Sequence, residues 1–220
     1  MFSMIGQGLI LFSEVTNAFL GEEKLQFKRL TSETDFEVLQ NKFEELDGIR
    51  LPTDYLKQGR AFVCFNESLE AQGGFALIDN GPFRCLEQLP DEVSKPEQSA
   101  MTEITAVFLT RGRALRRTRY WSFVIGNTLL SQSSRIVYAV DSEKTALRER
   151  VFNHIRAHTL YEGPVKKLEG MSNESVEAVE LTTKVHLAKG FLKLALKEAE
   201  KLKPRLAIRS ARIPTEPVAE

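Results

Sequence analysis

The chain predicts an α/β (α+β) domain, a mixed central sheet flanked by helices, with extra helices at its N- and C-terminal ends. Three observations lead there. Apolar stretches with strand spacing and apolar stretches with helical spacing mix along one unit, with no repeat or low-complexity block between them. The 220 residues are 42% hydrophobic, enough for one core of moderate size. Basic and acidic groups balance at 30 each, which argues against a general nucleic-acid binder, because such domains are basic overall. The two cysteines, Cys64 and Cys85, lie in or near apolar strand-like stretches and read as reduced, buried thiols of a cytoplasmic protein. The longest apolar runs are too short to span a bilayer.

Residues 1–22 read as an amphipathic helix, 23–203 as a single domain and 204–220 as a mobile tail. In the first segment Ile5, Leu9, Phe12, Val15 and Phe19 fall on one helical face, and Gly21 suits a C-cap. No Lys or Arg precedes Lys24, so a secretory signal is rejected. The helix is expected to pack on the domain or on a second copy in a homodimer. Residues 25–30 alternate as a strand. Thr34 and Glu37 form a T-x-x-E capping box opening a helix, with Phe36, Leu39, Phe43 and Leu46 inward and Asp47-Gly48 as its stop. Residues 61–65 and 74–78 are strands joined by a hairpin-like link. Asp79 to Pro82 is a sharp turn, and residues 90–100 are a polar loop.

Residues 102–109 form a strand that leads into an arginine-rich turn and a helix, apolar almost all round, ending near Leu130. Residues 135–140 are a strand, 145–158 a helix, and 165–168 a short strand. Residues 177–186 alternate, with Val179, Leu181, Thr183 and Val185 on one face and Glu180, Thr182, Lys184 and His186 on the other. Ala188, Leu192, Ala195, Leu196, Ala199 and Leu202 then make a helical stripe, stopped by Pro204.

Five arginines (Arg111, Arg113, Arg116, Arg117 and Arg119) stand at or near the start of the helix after strand 102–109. A helix N-terminus already carries partial positive charge, so each cation there is unfavourable by a few tenths to about 1 kcal/mol. Free N–H groups together with arginine make a natural phosphate site. Arg111, Gly112, Arg113, Ala114, Arg116 and Arg117 are therefore the anion-site candidates. Tyr120 and Trp121 follow the arginines and suggest an RNA-stacking surface. Their helix becomes apolar just there, which favours a core role. His154 and His158 are four apart on the expected helix, but HIRAH offers no third ligand, so no metal is expected.

This order of elements resembles the fold of the GNAT superfamily of N-acyltransferases over roughly residues 25–186. There a central strand runs into a pyrophosphate-binding turn and helix, a further strand and helix follow, and a strand pair closes the sheet. The run GGFALIDNGPFRCLEQLPDE, followed by TEITAVFL, resembles the autoinducer synthases and N-acyl amino acid synthases of that superfamily. The resemblance implies an N-acyltransferase taking its acyl group from a phosphopantetheine thioester, acyl-coenzyme A or an acyl carrier protein, and passing it to a small-molecule amine. It places Glu103, at the start of the central strand, as general base. It places the main chain of Val107, Phe108 and Leu109 along the pantetheine arm. The usual phosphate loop, Gln/Arg-x-x-Gly-x-Gly/Ala, is here TRGRALRR, and the usual tyrosine after the next strand is absent, with Arg150 near its place. His154 is left as a general-acid candidate. A GNAT-like domain with a decayed pocket that binds a ligand or partner is the alternative.

Overall fold

The computed structural model describes residues 2–19, 25–110, 114–142, 155–172 and 175–194. In chain order the elements are α1 (Phe2–Phe19), β1 (Gln26–Arg29), α2 (Glu33–Asp47), α3 (Thr53–Lys57), β2 (Gly59–Phe65), β3 (Ala71–Ile78) and α4 (Arg84–Glu87). There follow β4 (Met101–Leu109), α5 (Ala114–Leu130), β5 (Arg135–Asp141), β6 (His158–Pro164) and β7 (Val176–Thr183). Residues 184–194 are helical and are called α6. One seven-stranded sheet runs β1-β2-β3-β4-β5-β7-β6. Every neighbouring pair is antiparallel except β4 and β5. No helix among the described residues is long and apolar enough to cross a membrane.

The sheet is covered on both faces. On one side Phe36 and Leu39 of α2, Tyr55 and Leu56 of α3, and Cys85 and Leu86 of α4 pack with Val63, Ala76, Ile78 and Val137. On the other, Tyr120, Phe123 and Val124 of α5 meet Phe62, Phe75 and Leu77, while Ile125 and Leu129 meet Ile136, Tyr138 and Leu187. The all-round apolar character of α5 follows from this sandwich: its inner side lies on the sheet and its outer side carries α1. The two helices touch backbone to backbone. A Cβ on Gly126 would stand 2.9 Å from the Gly6 carbonyl and 2.8 Å from an Ile10 side-chain carbon.

Several local expectations are corrected. The capping box is Ser32 with Asp35, not Thr34 with Glu37; Ser32 holds the Asp35 amide at 3.2 Å and Asp35 reaches back. Phe36 and Leu39 lie inward as expected, whereas Leu46 is exposed at the last turn. Gly48 ends the helix at φ 69°, as expected of a C-cap. Alpha1 is turned from the expected face: Gly6 is buried and Leu9 and Ile10 pack inward, while Ile5 is exposed. The side chains of Phe12, Val15 and Phe19 lie outside the described set, as do residues 143–154. His158 opens strand β6 instead of closing a helix, and residues 165–168 are not a strand. Beta7 ends at Thr183. It lies between β5 and β6, and both Glu177 and Glu180 are buried on it. In α6 Leu187 is buried, Ala188, as expected, and Phe191 pack against the same cluster, and Leu192 points to solvent.

The two α1 and α5 glycine environments set up a contrast of sign. Gly126→Ala should destabilise the fold by about 1–3 kcal/mol through overpacking. A Cβ on Gly8 of α1 meets nothing within 4 Å, so Gly8→Ala should stabilise by about 0.5–1 kcal/mol through helix propensity. Equilibrium urea denaturation of both variants checks this. Equal shifts in the two would show that α1 does not dock as described.

Candidate active site

Strand β4 carries the site because it holds β5 only at its start. The pairing covers Met101, Thr102 and Glu103 against Arg135, Ile136 and Val137, and then the strands part. The cause lies on the far edge of β4. Gly74 pairs with Phe108 and Ala76 with Thr105, so Ala106 and Val107 together oppose Phe75. This extra residue is a β-bulge, which bends and twists its strand. Ala106 sits there at φ 53°, the left-handed region, where its small side chain limits the strain. From Ile104 onward the β5-facing edge of β4 has no ladder partner among the described residues.

A cavity of about 230 Å³ fills the gap and opens onto both faces of the sheet. On the α4 side it is lined by Asp47, Arg84, Cys85, Gln88, Glu103 and Glu177 together with the apolar Phe43, Ile49, Leu51 and Met171, and on the α5 side by Ile104, Trp121, Val124, Ile125, Tyr138 and Leu187.

Glu103 stands at the vertex where the strands separate and is 2% exposed. Its Oε2 accepts the Cys85 amide at 3.4 Å, and the Tyr55 hydroxyl and Cys85 thiol also bond to the carboxyl. Burial outweighs these bonds and the nearby Arg84 charge, and pushes the carboxyl up to about 7. Burial and the Glu103 charge likewise push the Tyr55 hydroxyl and the Cys85 thiol up, so both stay protonated. The Tyr55 hydroxyl accepts the Arg84 amide at 3.3 Å, and the Arg84 guanidinium lies 5.8 Å from the Tyr55 ring centroid. Glu177, also buried, accepts Gln88 Nε2 at 2.6 Å and the Ser175 hydroxyl at 2.8 Å. A carboxylate with a pKa near neutrality inside a cavity suits proton transfer.

Of the other sequence-derived candidates, Val107 lines the cavity, Phe108 is buried toward α2 and Leu109 pairs with Gly73. Ala114 begins α5. Arg116 donates to the Gln72 side-chain oxygen and, at 2.7 Å, to the Thr110 hydroxyl, tying the helix start to the β3–β4 rim. Arg117 is exposed. Arg119 is buried and reaches the Leu25 carbonyl at 3.4 Å. Arg111, Gly112, Arg113 and His154 lie outside the described residues. Tyr120 is fully buried, its hydroxyl donating to the Gly74 carbonyl at 2.6 Å, as a core role requires. Sequence reading missed Tyr55, Gln88, Glu177 and Tyr138 as cavity neighbours; the Pro52-Thr53-Asp54 helix start was the one local signal near any of them.

No family model matches the chain, and no curated protein sequence does. Solved structures do. The chain is similar to FeeM, an N-acyl amino acid synthase from uncultured soil microbes, at 9% identity and TM-score 0.53, over 74% of this chain and 92% of that one. It is similar to TofI, solved in a ternary complex with an inhibitor and MTA, at 15% identity and TM-score 0.53, over 78% and 99%. An N-acetyltransferase from Staphylococcus aureus Mu50 aligns at 11% identity and TM-score 0.50, over 73% and 98%.

The chain has the GNAT fold.

Within the GNAT fold the parted strands β4 and β5 form the central opening, and α5 is the helix that follows it.

Burial of Glu103 has a measurable effect on stability. Its folded pKa of about 7 lies above the ordinary 4.5, so between these values the folded state binds more protons than the unfolded state. The contribution of Glu103 to stability is therefore fully present below about 4.5 and is lost as pH rises through about 7. The loss is on the order of 3 kcal/mol. Glu103→Gln should flatten this slope and be more stable than the parent above neutral pH. Denaturation across the pH range checks it, and an unchanged slope in the variant would contradict the burial.

Proposed function

We propose that the chain is an N-acyltransferase that moves an acyl group from a phosphopantetheine thioester to an amine. The observation carrying this reading is the gap between β4 and β5 with the buried Glu103 carboxyl at its vertex. An extended pantetheine arm fits the unladdered edge of β4 beside Val107 to Leu109, as a peptide adds to a sheet edge. The thioester carbonyl then reaches the vertex. The amine approaches from the α4 side, where Glu103 takes its proton directly or through a water. The nitrogen attacks the carbonyl carbon, the C–N bond forms, and strand N–H groups stabilise the oxyanion. The C–S bond breaks, and the thiolate takes a proton from solvent or from His154. Holding both reactants in one cleft supplies much of the acceleration.

The donor is acyl-coenzyme A or an acyl carrier protein. Arg111, Arg113, Arg116 and Arg117 supply positive charge for its phosphates or for an acidic carrier surface, and Gly112 gives the backbone freedom to approach them. The acceptor is a small-molecule amine; the amino acid named for FeeM gives one class to try first. The buried, reduced cysteines fit a cytoplasmic setting.

Thiol release from acyl-coenzyme A and from acyl carrier protein, with and without a panel of amines including amino acids, tests this. Amine-dependent release is expected, rising with pH through a midpoint of about 7 because the base must be ionised. Glu103→Gln should lower kcat roughly a hundred- to ten-thousandfold and abolish that limb. Arg117→Glu should raise the donor KM more than it lowers kcat. Absence of release with every donor would overturn the proposal.

A further inference from the structure

The steps above use Glu103 and leave the buried Tyr55 behind it without a task. The Tyr55 ring packs in one cluster with Phe36, Leu39 and Phe83. Phenylalanine fills neighbouring places there, so packing alone does not call for a hydroxyl. A buried hydroxyl is unfavourable unless it is hydrogen-bonded. This one accepts the Arg84 amide at 3.3 Å, and its single hydrogen goes to the Glu103 carboxyl. Tyr55 thereby joins α3, the start of α4 and the vertex of the parted strands.

Each element around the carboxyl contributes differently. On β3 and β5 its register neighbours are the apolar Ile78 and Val137. Tyr55 faces it from α3, and Arg84 and Cys85 from α4. Asp47 of α2, Asp141 of β5 and Glu177 of β7 line the same cavity. Three groups donate a hydrogen to the carboxyl from the protein side: the Cys85 amide, the Cys85 thiol and the Tyr55 hydroxyl. Lone pairs taken by donors cannot receive a proton, which leaves the cavity side for it. Resting on the N-acyltransferase reading above, we infer that Tyr55 is a positioning residue for the proton transfer. It holds the Glu103 carboxyl from behind, so that the proton of the amine is taken up on the cavity side, and it favours the ionised form that takes it.

Two titrations of the full chain test this. One follows the carboxyl carbon resonance of Glu103 in isotopically labelled protein, assigned by its absence in Glu103→Gln. The other follows amine-dependent thiol release over the same pH range. Tyr55→Phe removes a donor that favours the charged form, so both midpoints should rise by about one to two pH units. Release at neutral pH should fall roughly five- to fiftyfold and recover at high pH, with the donor KM unchanged. A ring-fluorinated tyrosine at the same position is a stronger acid and a stronger donor, and should lower both midpoints. It keeps the packing, so the test survives if Tyr55→Phe does not fold. Midpoints that stay in place, or that move the same way in both variants, would overturn the positioning role. A carboxyl midpoint that moves as stated in a protein releasing no thiol would remove the N-acyltransferase reading and leave the hold of Tyr55 on Glu103 standing. Release whose pH limb neither variant moves would do the reverse.

Discussion

The three-pair limit on the β4–β5 ladder is the constraint from which the rest of the molecule follows. A central strand normally spends the hydrogen-bonding groups of both its edges on neighbours. Here the bulge at Ala106 and Val107 turns β4 away from β5 after Glu103, and one edge is left facing a cavity. The two helical layers, which the sheet otherwise keeps apart, come within reach of each other through that opening. Charged groups from α4 and β7 and apolar groups from α5 and α6 thereby line one space. The helices that cover the sheet hold the parting open by packing on either side of it.

The closed end of the same two strands shows what the open end lacks. There Asp79 accepts the Thr102 hydroxyl at 2.7 Å and Arg60 at 3.2 Å. Lys184 donates to the Leu129 and Ser131 carbonyls at the C-terminus of α5, where a cation is favoured. Burial nonetheless draws the lysine below its usual range. Polar groups at that end meet complementary partners and seal the structure. At the vertex, by contrast, burial outweighs the donors to the Glu103 carboxyl, which has no ion pair among the described residues, and its ionisation is held near neutrality. The two ends divide the work: one fixes the strands, the other keeps a proton exchangeable.

Much of this was legible in the sequence, for identifiable reasons. Long periodic segments such as α2, β3, β4 and α5 announce themselves because packing on one or both sides leaves a pattern. Glu103 was singled out through the family resemblance, which rests on its place at the start of the strand before the arginines. Tyr55, Glu177 and Tyr138 were not, because their roles depend on partners far along the chain. Tyr55 meets Arg84, Glu177 meets Gln88, and Tyr138 meets Glu180. The burial of both faces of β7 was hidden for the same reason. Alternation tells which residues share a side, but not that the strand lies inside the sheet with both sides covered. Alpha3 and α4 are too short to show a period at all.

The contact between Gly6 and Gly126 has a consequence for the order in which the chain is made. Alpha1 is an uncharged helix until Glu14, with no acidic residue in its first turn and no basic one in its last. An isolated helix of its 18 residues is marginal in water. Its seat on α5 is more than a hundred residues downstream, so on a translating ribosome it waits roughly ten seconds for its partner. A helix made well before its seat is thus among the last elements to find its place. Until α5 is made, the apolar face of α1 is open to wrong associations.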